Sequence, residues 1–422
     1  MANNFESNFT RKVMMKVLDR FESNRVLSRN VNTQMFQGAF DPNSGDTVDV
    51  KRPTDYKSVR TPTGDITGQK KDIITGKASA TVQDYITVPV DYDEADEALN
   101  IGTDINRFWD DIGTRIVTDL ETDFAGFMMR NAGLRVGTPG EGVNSWSEVA
   151  EAGALMQSSG VPMGAPWYYA LNPYSQVALA NEQRSLGTNP EVGTANERAT
   201  VKENFAGLTV KTATTLSSYM TGVGADRVGA VAVNPDVTYV THKDSMRQSI
   251  AVSGFQANLE IKAGETIEVT GRNRLNLSTR MPVLKADGTQ VLFTGTVVQD
   301  VTLDGTGAGT LLVTGPGIFE AAGAYNTTDS AIVAGDVVTL GGSASTVIQP
   351  NMFWHRDAFT IASIPIKKLH STDTVATTRD GLQLRTSLYA SGDANKQTVR
   401  IDLRPAYGSM NPFFAGQGHG NP

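Results

Sequence analysis

An α+β fold with a separate antiparallel β domain inserted into it is what this sequence predicts, on three observations. Residues 103–132 place Ile105, Phe108, Trp109, Ile112, Ile116, Val117, Leu120, Phe124, Phe127 and Met128 at steps of three and four, one long amphipathic helix. Helical and strand-like stretches then mix irregularly to about residue 225. From 226 to 349 helical periodicity almost vanishes; Val, Thr and Gly dominate, and no lysine or arginine occurs between Lys285 and Arg356. Short strands between turns read as an antiparallel barrel or sandwich.

The 422 residues allow two or three folding units and at least one sizeable core. With no cysteine, disulfides, thiolate catalysis and sulfur-based zinc sites are excluded. A net charge of -8 argues against a protein whose main work is gripping phosphate backbones. No run reaches the roughly 18 apolar residues of a spanning helix, and the start MANNFESNFTRK lacks a secretory pattern, so a soluble product made in the cytosol is expected.

Residues 5–29 read as an amphipathic helix with Phe5, Phe9, Val13, Met14, Val17, Phe21 and Leu27 on one side. Six basic residues (Arg11, Lys12, Lys16, Arg20, Arg25, Arg29) against Glu6, Asp19 and Glu22 give it +3, opposite in sign to the whole chain. Its apolar stripe needs a surface to cover, and a neighbouring subunit is the expected one, with an acidic partner segment as the second possibility. Residues 41–90 read as a long two-stranded excursion with a mobile tip: turn signals at 41–46, 61–65 and 67–71 separate Thr47–Val50 from Ala80–Val90. So long a polar loop is unusual unless it contacts something else. The acidic run 91–97 lacks the glycine and distal glutamate of a calcium loop and reads as a solvated face or helix start.

The long helix is capped by Thr103 or Asp104 and ended by Gly133, with Gly113 and Gly126 weakening it slightly; thirty residues would span about 45 Å, a structural spine. Trp146–Met156 reads as helix, Trp167–Leu171 as a buried strand, Pro173–Ala180 as the start of a helix, 184–203 as an exposed loop and Phe205–Thr212 as strand. Inside the β domain, Ala263-Gly264-Glu265-Thr266-Ile267-Glu268-Val269 is echoed by Ala334-Gly335-Asp336-Val337-Val338-Thr339-Leu340, each a tight turn feeding an alternating strand. Phe359–Ile366, Leu382–Tyr389 and Thr398–Leu403 read as strands, and 408–422 is Gly, Pro and aromatic without periodicity.

Catalytic patterns are missing. There is no phosphate-cradling loop, no G-x-S-x-G elbow and no HExxH pairing among His242, His355, His370 and His419, which read as surface or packing residues. Asp119, Glu121 and Asp123 imitate a carboxylate cluster, but only Asp119 and Asp123 share a helix face, and a solvated face is the expected role. No catalytic, cofactor-binding or metal-binding residue is assigned.

Several runs carry a resemblance. They are Lys51-Arg52-Pro53, Arg60 to Gly68 (RTPTGDITG), Gly76-Lys77-Ala78, Tyr85 to Val90 (YITVPV), Arg115 to Glu121 (RIVTDLE) and Met128-Met129. Further on come Ser363-Ile364-Pro365, Lys368-Leu369-His370-Ser371, Gly392-Asp393-Ala394-Asn395, Asp402-Leu403 with Pro405-Ala406-Tyr407, and Gly420-Asn421-Pro422. In this order they resemble the major capsid (coat) proteins of short-tailed lambdoid phages, including that of a Shigella-infecting member. The resemblance implies the Hong Kong ninety-seven capsid fold with an inserted β-barrel domain. It implies an N-terminal arm (1–40), an extended loop (41–90), a peripheral domain with the spine helix (91–145 and 350–375), an axial domain (146–225 and 376–410), the inserted β domain (226–349) and a C-terminal tail (411–422). It also implies a structural protein without cofactor. Its partners would be itself in hexamers and pentamers, a separate scaffolding protein, a portal and, weakly and non-specifically, packaged DNA, with no membrane. The alternatives are an encapsulin-like compartment shell and an α/β enzyme with a β accessory domain.

Overall fold

The computed structural model describes residues 6–33, 45–54, 56, 58–68, 72–93, 105–185, 198–321, 323–370, 373–391 and 396–422, without the side chains of 6–10, 105–109, 185 and 391. The chain forms two units. One comprises Met1–Asp49, Ser79–Ala125 and Phe359–Gly408; the other comprises Val50–Ala78, Gly126–Ala358 and Ser409–Pro422.

The first unit holds helix α1 (Glu6–Asn24), a 3-10 turn (Ser28–Asn30) and most of α2 (Ile105–Arg130). The spine helix is thus present, while its expected caps Thr103 and Asp104 lie outside the described residues. Val13, Met14, Val17 and Phe21 of α1 are buried. They pack over the sheet of Thr374–Thr377, Gln383–Ser391, Lys396–Leu403 and Ile86–Asp93, whose Leu384, Val399, Ile401 and Leu403 are buried in turn. Gly113 has a reason beyond helix propensity: a Cβ there would sit 3.2 Å from the Val17 carbonyl oxygen and from Cβ of Arg20. The glycine lets α1 lie close against α2.

This corrects two expectations. Strands of the arm's own unit, rather than a neighbouring subunit, cover its stripe from Val13 to Phe21; the side chains of Phe5 and Phe9 lie outside the described residues. The excursion is also shorter than expected. Lys77–Val82 joins a sheet in the order Thr47–Lys51, Lys77–Val82, Pro405–Ser409, Phe359–Ser363, whereas Ile86–Asp93 pairs antiparallel with Lys396–Leu403. The polar triplet Gln83-Asp84-Tyr85 separates them. Asp91 and Asp93 end a strand rather than start a helix, and Asp91 accepts a 2.6 Å bond from Thr398 Oγ1. Residues 94–97 lie outside the described residues.

The second unit centres on a six-stranded sheet in the order Leu134–Val136, Ala415–Gly418, Asn351–His355, Trp167–Leu171, Leu208–Thr212, Asn204–Phe205. Helix α3 (Trp146–Ser158) buries Val149, Ala152 and Met156 in a core with Leu134, Tyr169, Leu208 and Phe353. The region read as one strand, Phe205–Thr212, is two, turned at Ala206 and Gly207, which both have positive φ (52 and 79). Helix α4 (Pro173–Ser185) begins at Pro173, as its position in the sequence predicts. The aperiodic tail is an inner strand of the sheet. Ala415–Gly418 is antiparallel to Asn351–His355 and parallel to Leu134–Val136.

Residues 228–340 build a closed antiparallel barrel in the order Arg247–Ser253, Gly309–Thr314, Leu292–Val297, Thr266–Asn273, Val337–Leu340, Val228–Val231. Its interior is its own: Ile250, Val252, Ile267, Phe293, Val313 and Val338 are all within 1 % of full burial. The echo seen in the sequence is a symmetry of this barrel. Glu268 faces Thr339, flanked by Ile267–Leu340 and Val269–Val338, so the two copies are related by a local two-fold through that pair. The relation holds around the barrel: Thr266–Thr296 corresponds to Val337–Ala230, Thr296–Thr314 to Ala230–Ser253, and Val252–Gly309 to Gln248–Val313. Both turns use a glycine with positive φ, Gly264 (100) and Gly335 (92). In both, the next carboxylate accepts the amide three residues back, Lys262 N to Glu265 (2.9 Å) and Val333 N to Asp336 (2.8 Å).

Candidate assembly site

The arm's seat is a buried carboxylate. After α1 the chain turns through Arg25–Leu27 into the 3-10 turn, and the freed amides point at Glu121 of α2. Glu121, 2 % exposed, accepts from Leu27 N (2.6 Å), Ser28 N (2.9 Å), Val26 N (3.3 Å) and the Ser28 hydroxyl. It caps a helix start from a distant part of the chain. Buried Arg25 completes the seat, bonding Ser28 Oγ (2.8 Å) and O (3.0 Å) and pairing with Asp380 at 3.1 Å. Desolvation lowers the Arg25 pKa, opposed by Asp380 and Glu121.

The expectation of a solvated carboxylate face is therefore wrong for Glu121. It holds for Asp119, which pairs with exposed Arg115 at 3.0 Å, and Asp123 is exposed. The signal that sequence reasoning passed over is position: Glu121 sits on the same stripe as Val117, Leu120 and Phe124, which are buried. The arm's outward face carries Arg11, Lys12, Lys16, Arg20 and Met15, the last 58 % exposed.

In the sheet under the arm, fully buried Asp402 accepts from Arg385 Nε (3.1 Å) and Nη2, Arg400 Nε (2.6 Å) and Thr87 Oγ1 (2.8 Å). Breaking such a pair leaves an uncompensated buried charge. The loop 50–78 presents Tyr56, Ile66 and Ile73 at 67 %, 51 % and 69 % exposure, apolar side chains without a core of their own.

Among the described residues no group of carboxylates and histidines is placed to hold a metal ion, and no helix is long and apolar enough to cross a membrane. A crevice of about 760 Å³ in the second unit is lined by Arg135, paired with Glu268, by Lys285, paired with Glu151, and by Asp287, which accepts from Thr289 N and Oγ1. His242 is held by the Arg247 and Asp236 carbonyls at 2.8 and 2.7 Å, and His355 and His419 are buried.

Burial, helped by nearby Arg135, pushes the His419 pKa down to about 3. The folded tail holds this ring neutral. Below the unfolded value near 6.5, the unfolded chain takes up a proton that the folded chain refuses. Its contribution is therefore complete above about pH 6.5 and is lost as the pH falls toward 3, by at most about 1.4 kcal/mol per pH unit. Urea midpoints should fall from pH 7.5 to pH 5 more steeply in the natural chain than in His419→Asn. Parallel profiles would contradict this.

The comparisons with known proteins complete the picture. The description "P22 coat protein - gene protein 5" matches residues 1–419. A major capsid protein of Acyrthosiphon pisum secondary endosymbiont phage 1 is 36% identical over 429 residues, covering 100% of both chains. A solved chain of Mycobacterium phage Che8 is 10% identical with TM-score 0.48, covering 93% of this chain and 90% of that one. The capsid of cyanophage P-SCSP1u is 12% identical with TM-score 0.44, covering 89% and 84%. The class is that of a viral coat subunit, a structural protein of the virion, here of mixed helix and strand with a closed β-barrel set into it. The chain belongs to the P22 coat protein family and is a phage major capsid protein.

Proposed function

We propose that the chain closes into an icosahedral shell of hexamers and pentamers around double-stranded DNA, built in the bacterial cytoplasm with a separate scaffolding protein and a portal. The observation that carries this is the family match over residues 1–419. The physics supports it. A net charge of -8 gives a wall that holds DNA weakly and lets it leave. Rings of one surface pair close by heterologous contacts, which need elements that reach a neighbour. The exposed apolar residues of loop 50–78 and the basic face of the arm are such elements. The role is structural, not catalytic. Nuclease-treated particles from infected cells should contain double-stranded DNA; particles filled with an enzyme would favour the encapsulin-like reading.

Residues 226–349 act in this reading as an inserted domain with its own fold. Its closed barrel has a core drawn from 231–340 alone. One buried cation does lean on the host: Arg274 bonds the Gly133 carbonyl (3.1 Å) and stacks on Phe413, its pKa lowered to about 10 by desolvation. A 226–349 fragment should give a strand-type circular dichroism spectrum with a cooperative melt, less stable than in the full chain. A disordered spectrum would remove the independent domain.

A further inference from the structure

We propose that Arg52 is a positioning residue for shell assembly, fastening the root of the extended loop to the inserted barrel domain. Arg52 stands at the point where the loop leaves its sheet. Its backbone N donates to Gly76 O at 2.8 Å, closing the loop's two ends on each other. Its side chain, 8 % exposed, turns inward. There the guanidinium meets carbonyls from three distant segments: Lys77 O (3.0 Å) on the loop's return, Met410 O and Ser409 O (3.4 Å) before the tail, and Asp244 O (3.5 Å) of the inserted domain. Only a planar fork with five N–H groups spreads over such a set; a lysine ammonium does not.

The charge is held by dipoles rather than by a bonded carboxylate. Desolvation accordingly lowers its pKa to about 10, opposed by Tyr239 and Asp244, so it stays charged at neutral pH. A buried cation is costly unless its site is fully built.

Independent contacts reach the same part of the barrel domain. Lys77 N donates to Asp244 Oδ1 at 3.0 Å. A Cβ on Gly76 would overlap the Lys243 carbonyl, so only glycine permits this approach. Tyr325, stacked on Tyr239 with centroids 3.7 Å apart, donates its hydroxyl to Ile74 O at 3.1 Å. Ile74, Gly76, Lys77 and Arg52 thus all touch the inserted domain, whereas 58–68 is largely exposed. The inserted domain, not the loop's own packing, fixes where the loop starts. The latch itself is a property of the single subunit, and only its consequence for assembly rests on the shell reading.

Hydrogen exchange of the full-length free subunit separates the two. In Arg52→Gln, amides of 50–54 and 72–78 should exchange about tenfold faster or more, the loss implied by one charge-assisted hydrogen bond. Barrel strands 247–253 and 309–314 should keep their protection, and Arg52→Lys should rescue only in part. Asp244→Ala, at a position 42% exposed in its side chain, is the gentler variant and should speed exchange at 76–78 alone. Unchanged exchange at the root, or an equal loss throughout the barrel, overturns the latch. If the root loosens but shells form in normal yield and size, the latch stands and its role in assembly is overturned.

Discussion

Glu121→Ala is expected to release the N-terminal arm and to cost about 3–5 kcal/mol, the range for removing one partner from a buried charged network. The alanine would leave the amides of Val26, Leu27 and Ser28 without their acceptor, in a place where Leu27 and Ser28 are fully buried. It would also strip buried Arg25 of one of its two attracting carboxylates. Burial of the stripe Val13–Phe21 depends on the chain turning here, so the loss propagates into the sheet beneath α1. Glu121→Gln keeps one oxygen and should fall between the two. Urea unfolding gives the magnitude, and limited proteolysis should cut the arm first. A Glu121→Ala subunit within about 1 kcal/mol of the natural one, its arm uncut, would show that the seat contributes little.

Gly416→Val is expected to be at least as damaging, at about 3 kcal/mol or more, the upper end for overpacking. Gly416 lies in the strand between Leu134–Val136 and Asn351–His355, and a Cβ there would overlap the Phe353 ring, itself fully buried. Gly418 stands in the same relation to Tyr169. Neither ring has room to yield without disturbing the core of α3. Beside this strand, Glu148 of α3 accepts from Asn421 N at 2.9 Å, so a displaced strand also releases the chain's end. Gly142→Val, with open space around its Cβ, is the control and should stay within about 0.5 kcal/mol. Equal stability of the two variants in urea would mean that the tail strand is not held by this packing.

The same glycines explain why the tail was illegible as sequence. Strands are recognised by alternating large apolar or β-branched residues, and Ala415–Gly418 has none, because rings from neighbouring strands fill the space that side chains at 416 and 418 would occupy. The spine helix, the barrel domain and its echo were legible because each repeats a period or a turn within one stretch. Glu121 was hidden by its neighbours: Asp119 and Asp123 make an acidic run that reads as solvated, and only the partner loop at 26–28 tells the middle residue apart. The arm's stripe announced that it needed cover but not whose, since amphipathicity is silent about the partner. Root contacts of the loop, Arg52 above all, join residues as far as 358 positions apart, and no local pattern marks them.

Assembly into closed shells is the property on which the proposed function rests. Electron microscopy of the full-length chain, purified alone and after co-expression with a scaffolding protein, should show closed shells whose reconstructions resolve hexamers and pentamers of this subunit. Only monomers or dimers in both preparations, with the subunit folded by circular dichroism, would contradict it.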